Sequence, residues 1–173
     1  SSYPPLDLLA QYNFVEANKT ALEQLCTKMK ALKKKPALVF VGSLTENPGK
    51  RGRPLSNSAV VLHHGRPVYS QPKRLLPNFD VFDEKRYFVE GDHLVCAEFA
   101  GLKLALTVCE DIWHLGPAEQ AKAAGADVLI NLNASPFHSG KIHERERVVR
   151  ERIKAVSIPV VYVNQIGGQD ELV

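Results

Sequence analysis

Residues 104–113, Leu-Ala-Leu-Thr-Val-Cys-Glu-Asp-Ile-Trp, pass in a single step from an apolar and β-branched run to a thiol, two carboxylates and the chain's one tryptophan. Five residues of that character read as a buried strand, and a buried strand commits the chain to sheet neighbours and covering layers. The polar change falls where that strand ends. A cysteine there is held in a fixed direction, and N–H groups of the turn behind it can meet a developing oxyanion. This is the setting of a nucleophilic thiol. The commoner fate of a free cysteine is burial in a core, so the rest of the chain has to decide.

Around this stretch the pattern alternates. A helix is expected over 14–33, with Ala21, Leu22, Leu25, Met29 and Leu32 as its apolar stripe, lysines 33–35 at its end and Pro36 closing it. A strand over 37–42 precedes a polar loop over 43–56. Runs 58–63 and 66–71 flank a His-Gly turn and predict a hairpin. The adjacent His63 and His64 point to opposite faces of a strand and are read as hairpin residues, not as a metal pair. Strands are expected over 94–99 and 104–108. A helix over 117–124 stops at Gly125. Strand 127–132 leads into a polar loop, a charged helix over 141–157 and a last strand over 159–163. The stripe of that helix is Ile142, Val148, Val149, Ile153 and Val156, with its charges read as solvated or facing another subunit. Hairpins in one half and strand–helix alternation in the other predict an α/β fold with mixed sheets. Loops beginning at Lys73, Cys109, Asn133 and Asn164 each follow a strand and are expected to share one edge, the usual place for a site in such folds.

Bulk properties exclude several classes. A net charge of +3 over 173 residues argues for neither nucleic acid nor an anionic membrane. No apolar run approaches the roughly 20 residues of a membrane span, and the opening residues lack the basic start and apolar segment of a signal peptide. Cys26, Cys96 and Cys109 form no CxxC pair, which argues against a disulfide scaffold or a zinc site. A reducing, cytoplasmic setting is expected.

Cys109, Lys73 and Glu84 make chemical sense as a set. A thiolate attacking an amide carbonyl generates an oxyanion that a fixed ammonium neutralises, and a carboxylate can move the proton from sulfur to the leaving nitrogen. Taken singly, lysine and glutamate are mostly surface residues. The segment Lys73-x-x-Leu-Pro-Asn-Phe-x-Val-Phe-Asp-Glu-Lys-Arg-Tyr-Phe88, then Cys109-Glu-Asp-Ile-Trp113, then Leu132-Asn-Ala-Ser-Pro-Phe137, resembles the nitrilase, or carbon–nitrogen hydrolase, superfamily. The ending Tyr162-Val-Asn-Gln-Ile-Gly-Gly-Gln-Asp-Glu-Leu-Val173 narrows the resemblance to the glutaminase domains of glutamine-dependent NAD+ synthetases.

That resemblance implies a four-layer α-β-β-α sandwich and a Glu-Lys-Cys triad. Cys109 would be the nucleophile, Lys73 the oxyanion-stabilising lysine and Glu84 a second glutamate that positions lysine and substrate. The backbone N–H of Glu110 would help hold the oxyanion, Ser135 and Lys141 would lie in the loop meeting glutamine, and Phe79 stands where tyrosine is frequent. It further implies L-glutamine as substrate and no cofactor or metal for the hydrolysis. Deamido-NAD, ATP and Mg2+ would be handled by a separate synthetase domain, and a homo-oligomer is expected. The general-base glutamate would sit about four residues upstream of Ser1, with the first strand also lying upstream and a further strand following Val173. The 173 residues are accordingly expected to be one domain, part of a longer polypeptide, with little turnover on their own. A free-standing amidase acting on another small amide and a non-catalytic domain of the same fold are the competing expectations.

Overall fold

The computed structural model describes residues 5–34, 36–47, 49, 51–94 and 96–167. The chain divides into two compact units, Ser1–Pro72 with Leu76–Glu90, and Lys73–Leu75 with Gly91–Val173.

In the first unit a short 3-10 turn, Leu6–Ala10, leads into helix α1, Tyr12–Ala31. Strands β1 (Val39–Glu46), β2 (Leu55–His63) and β3 (Arg66–Pro72) form an antiparallel sheet in that order. Cys26 and Met29 of α1, flanked by Leu22 and Leu25, pack on Val60 and Leu62 of β2 and on Val39 and Val41 of β1. The inward stripe thus runs through Cys26, whereas Ala21 and Leu32, which the helical period also allowed, are exposed. The helix stops at Ala31, so Lys28 and Lys30, not lysines 33 and 34, lie in its last turn; Lys35 falls outside the described residues. The loop expected over 43–56 is shorter, because Ser43–Glu46 and Leu55–Ser56 are drawn into the ladder. At the hairpin tip His64 and Gly65 both take positive φ, 50° and 72°, the geometry that follows the twist of the strands it joins.

The second unit is a four-stranded sheet in the order β4 (Cys96–Phe99), β5 (Leu102–Val108), β6 (Val128–Asn133), β7 (Val160–Asn164). β4 is antiparallel to β5, and β5, β6 and β7 are parallel. Their connections carry α2 (Leu115–Ala123) and α3 (Lys141–Val156). Ala118 and Ala121 of α2 and Val156 of α3 cover a sheet face made by Ala105, Leu129 and Val160. α2 begins two residues before Pro117 and ends as the glycine requires: Gly125 has φ 75°, and the Ala126 N–H returns to the Ala121 carbonyl (3.0 Å). On α3, Ile142 and Ile153 are exposed. Arg145 and Arg152, seven residues apart and on the same side as Val148, Val149 and Val156, turn inward instead.

Along β5, β6 and β7 the helix-covered face changes character towards the strand ends. The register pairs Ala105 with Leu129 and then Thr107 with Asn131 and Tyr162, two residues on and so on the same face. Asn131 Nδ2 donates to Thr107 Oγ1 (3.0 Å), and Asn133 Nδ2 donates to Asn131 Oδ1 (2.6 Å) and to the Val163 carbonyl (3.2 Å). Apolar packing gives way to a bonded polar layer just below the C-terminal edge. The parallel register then sets Cys109, Asn133 and Asn164 in a row along that edge, as the strand-end reading expects for these three.

Candidate active site

β5 ends at Val108, and the chain turns at once into a 3-10 helix, Cys109–Trp113. Cys109 opens it with φ 44°. A residue with a Cβ rarely adopts that conformation, which is usually held by its surroundings at a functional position. The side chain is buried, only 7% exposed.

The carboxylate that fixes this turn belongs to Asp111. It is fully buried; Oδ2 accepts the Val108 N–H (2.9 Å), while Oδ1 accepts the N–H groups of Arg74 (3.1 Å) and Leu75 (2.9 Å). One side chain therefore ties the end of β5 to the short segment that carries Lys73. The other side of that segment is held by the Gly91 N–H, which donates to the Lys73 carbonyl (2.8 Å). Burial pushes the Asp111 carboxyl up to about 6, against the pull of those backbone donors and of Lys73. No role was assigned to Asp111 from the sequence. Its signal was a carboxylate two residues beyond the cysteine and directly before the fully buried Ile112.

Lys73 is completely buried. Desolvation lowers its pKa, and the negative charges of Cys109, then Asp111, then Glu110 oppose that shift. Lys73 and Cys109 are thus brought within electrostatic reach of each other in one unit. Glu84 lies in the other unit, at the start of a 3-10 turn, Glu84–Arg86; it is 3% exposed, and Asn57 Nδ2 donates to its Oε1 (3.4 Å). Neither Lys73 nor Glu84 is the surface charge its residue type alone suggests. Phe79, also in the first unit, is half exposed and meets Phe82 edge to face, ring centres 5.9 Å apart.

The remaining expected contacts lie in the second unit. Glu110 pairs with His114 (3.0 Å). Ser135 donates its N–H to Asn164 Oδ1 (3.1 Å), and its carbonyl accepts from Arg145 (2.8 Å). The Lys141 ammonium bonds Glu144 (2.9 Å) and stands 4.4 Å from the centre of the Trp113 ring. Arg152 donates to the carbonyls of Ile112 (3.0 Å) and Trp113 (3.3 Å). The two arginines of α3 therefore hold the loop after β6 and the turn after β5, and to that extent depart from the expectation that the charges of this helix are solvated or face another subunit. Their seven-residue spacing, in register with the valines, was the available signal. Tyr162, on β7, is half-buried, and burial pushes its hydroxyl up to about 12.

A buried thiol at a positive-φ strand exit, a buried lysine within its electrostatic reach and a carboxylate bonded to both segments thus stand together in the second unit. The chain is 36% identical over 174 residues to a glutamine-dependent NAD(+) synthetase of Aquifex aeolicus, covering all of this chain and 29% of that protein. Among solved structures, a glutamine-dependent NAD+ synthetase from Acinetobacter baumannii superposes with TM-score 0.84 at 32% identity, over 99% of this chain and 31% of that one. A carbon–nitrogen hydrolase from Helicobacter pylori gives TM-score 0.69 at 26% identity, covering 98% and 57%. The chain spans about 30% of the length of the synthetases it matches. The carbon–nitrogen hydrolase profile matches residues 4–173, the span that holds Lys73, Cys109 and the buried frame between them, and the chain belongs to the carbon–nitrogen hydrolase family.

Proposed function

We propose that the chain is a glutaminase domain that hydrolyses the side-chain amide of L-glutamine. The carrying observation is the pairing of Cys109, at a positive-φ strand exit, with the buried Lys73. Cys109 Sγ attacks the amide carbon. The oxyanion that develops is met by the Lys73 ammonium and by the Glu110 N–H in the first turn beyond the nucleophile. Collapse breaks the carbon–nitrogen bond as the amide nitrogen takes up the proton given up by the thiol and leaves as ammonia, and water then hydrolyses the thioester to glutamate and the free thiol. In this reading the proton-accepting glutamate is the one that the family resemblance implies outside these residues, and Glu84 is a supporting carboxylate. Ser135 and Lys141 border the loop proposed to meet the amino-acid end of glutamine, and Phe79 contributes an apolar contact. The reaction as written uses no metal or cofactor.

The likeness of this whole chain to about 30% of the length of glutamine-dependent NAD(+) synthetases supports a further step. Ammonia released here feeds ATP- and Mg2+-dependent amidation of deamido-NAD in a synthetase domain of a longer, homo-oligomeric, cytoplasmic enzyme.

The test is ammonia release by the full polypeptide carrying these residues, with glutamine set against a simple aliphatic amide. Cys109→Ala is expected to abolish release, and Lys73→Met to reduce it by about 10²–10³-fold. Equal turnover of both amides would favour a general amidase, and unchanged turnover in Cys109→Ala would overturn the proposal.

A further inference from the structure

Asp111 does more than close a turn. Its three backbone partners are Val108, directly before the thiol, and Arg74 and Leu75, directly after the lysine. A carboxylate with no exposed surface between two such segments sets their separation, because any shift of one against the other breaks a charge-assisted bond in a place water does not reach. We propose that Asp111 is a positioning residue that holds the Lys73 ammonium beside Cys109 Sγ. The inference rests on the reading of Cys109 and Lys73 as the reacting pair.

Two effects of its charge act in opposite directions on the sulfur, which makes the proposal separable by sign. Acting directly, the anion of Asp111 disfavours a thiolate nearby. Acting through Lys73, it favours one, since it both anchors and electrostatically supports the ammonium that attracts the sulfur. The other titratable groups coupled to this pair are Glu110, whose charge reaches Lys73, and Tyr162, whose hydroxyl feels the charge of Cys109.

The experiment follows iodoacetamide labelling of Cys109 against pH, read by mass spectrometry of its peptide, in the full polypeptide and in Asp111→Asn, Lys73→Met and the double variant. Asparagine keeps one acceptor oxygen but presents an amide N–H₂ to a backbone donor and carries no charge. The labelling midpoint is expected to rise by about one pH unit in Asp111→Asn, a roughly tenfold slower reaction below the midpoint. No rise is expected when the same change is made on the Lys73→Met background. A midpoint that stays or falls in Asp111→Asn overturns the inference, as does an equal rise on both backgrounds. If Lys73→Met leaves the wild-type midpoint in place, the pairing of lysine and thiol fails first, and with it the proposed chemistry. Should Asp111→Asn not fold, as judged by circular dichroism, Asp111→Glu replaces it. Glutamate retains the charge and displaces the anchor, so a rise is still expected and an unchanged midpoint overturns the inference.

Discussion

Arg152, one turn from the end of α3 in its inward stripe, donates from Nε to the carbonyl of Ile112 at 3.0 Å and from its terminal nitrogen to the carbonyl of Trp113 at 3.3 Å. These are the last carbonyls of the 3-10 helix that begins at Cys109, groups with no partner inside so short a helix. Arg152→Ala should cost about 2–3 kcal/mol, since two carbonyls lose a charged donor. Arg152→Lys should recover less than half, because an ammonium does not reproduce the planar fork. Urea unfolding of the three proteins checks both values.

Gly65 sits against α1 with no room for a side chain. A Cβ there would lie 2.5 Å from the Cys26 carbonyl oxygen and 2.6 Å from Lys30 Cγ, on a backbone with φ 72°. Gly65→Ala combines a left-handed penalty with overpacking against a helix backbone, and about 2–4 kcal/mol is expected. The readout is the thermal midpoint, with the neighbouring exposed His64→Ala as a small-effect control.

Stability should carry the signature of Asp111. Its carboxyl titrates at about 6 in the folded protein against 3.8 ordinarily, so between those values the folded state holds a proton the unfolded chain releases. The contribution of this group is therefore fullest below about pH 4 and declines as pH rises to about 6, by about 3 kcal/mol in all. Asp111→Asn removes the titration. The difference in unfolding free energy between wild type and variant, followed from pH 4 to 7, should slope in that direction, and a flat difference would contradict the buried ionised carboxylate.

Exposure does not distinguish Cys26 from Cys109, both 7% exposed, so their chemistry must. Cys26 packs in an apolar cluster, and burial raises the thiol of Cys96. Cys109 alone among them has an electrostatic partner in a buried lysine. Limiting iodoacetamide at pH 7.5 should label Cys109 first. Equal or earlier labelling of Cys96 would refute the lysine's influence.

Much of the strand and helix order was readable because short apolar runs and Gly125 are local signals. Boundaries moved where a ladder overrode composition, as at Ser43–Glu46, where Ser43, Thr45 and Glu46 say loop while the backbone pairs with Leu55–Ser58. The apolar stripe of α3 misled in a definite way. Ile142 and Ile153 fit the helical period yet are exposed, whereas Arg145 and Arg152 face in because loop and turn carbonyls await them. Asp111 escaped notice for a related reason: its worth lies in backbone N–H groups 36 and 37 residues away, and backbone donors leave no trace in a sequence. Cys109 stood out because it ends a buried apolar run, whereas Lys73 stood out through motif resemblance, not through any property of lysine.

The φ of 44° at Cys109 sets stability against chemistry at a single residue. Glycine accepts that conformation freely, whereas any other side chain there is held against its preference by about 1 kcal/mol. Cys109→Gly should therefore melt higher than Cys109→Ala, although it removes one more carbon from a buried site, and both would be inert towards a carbonyl. Selection for a robust fold alone would drift towards glycine at this position. Under the proposed chemistry, the cost of that strain is offset by what the sulfur does there.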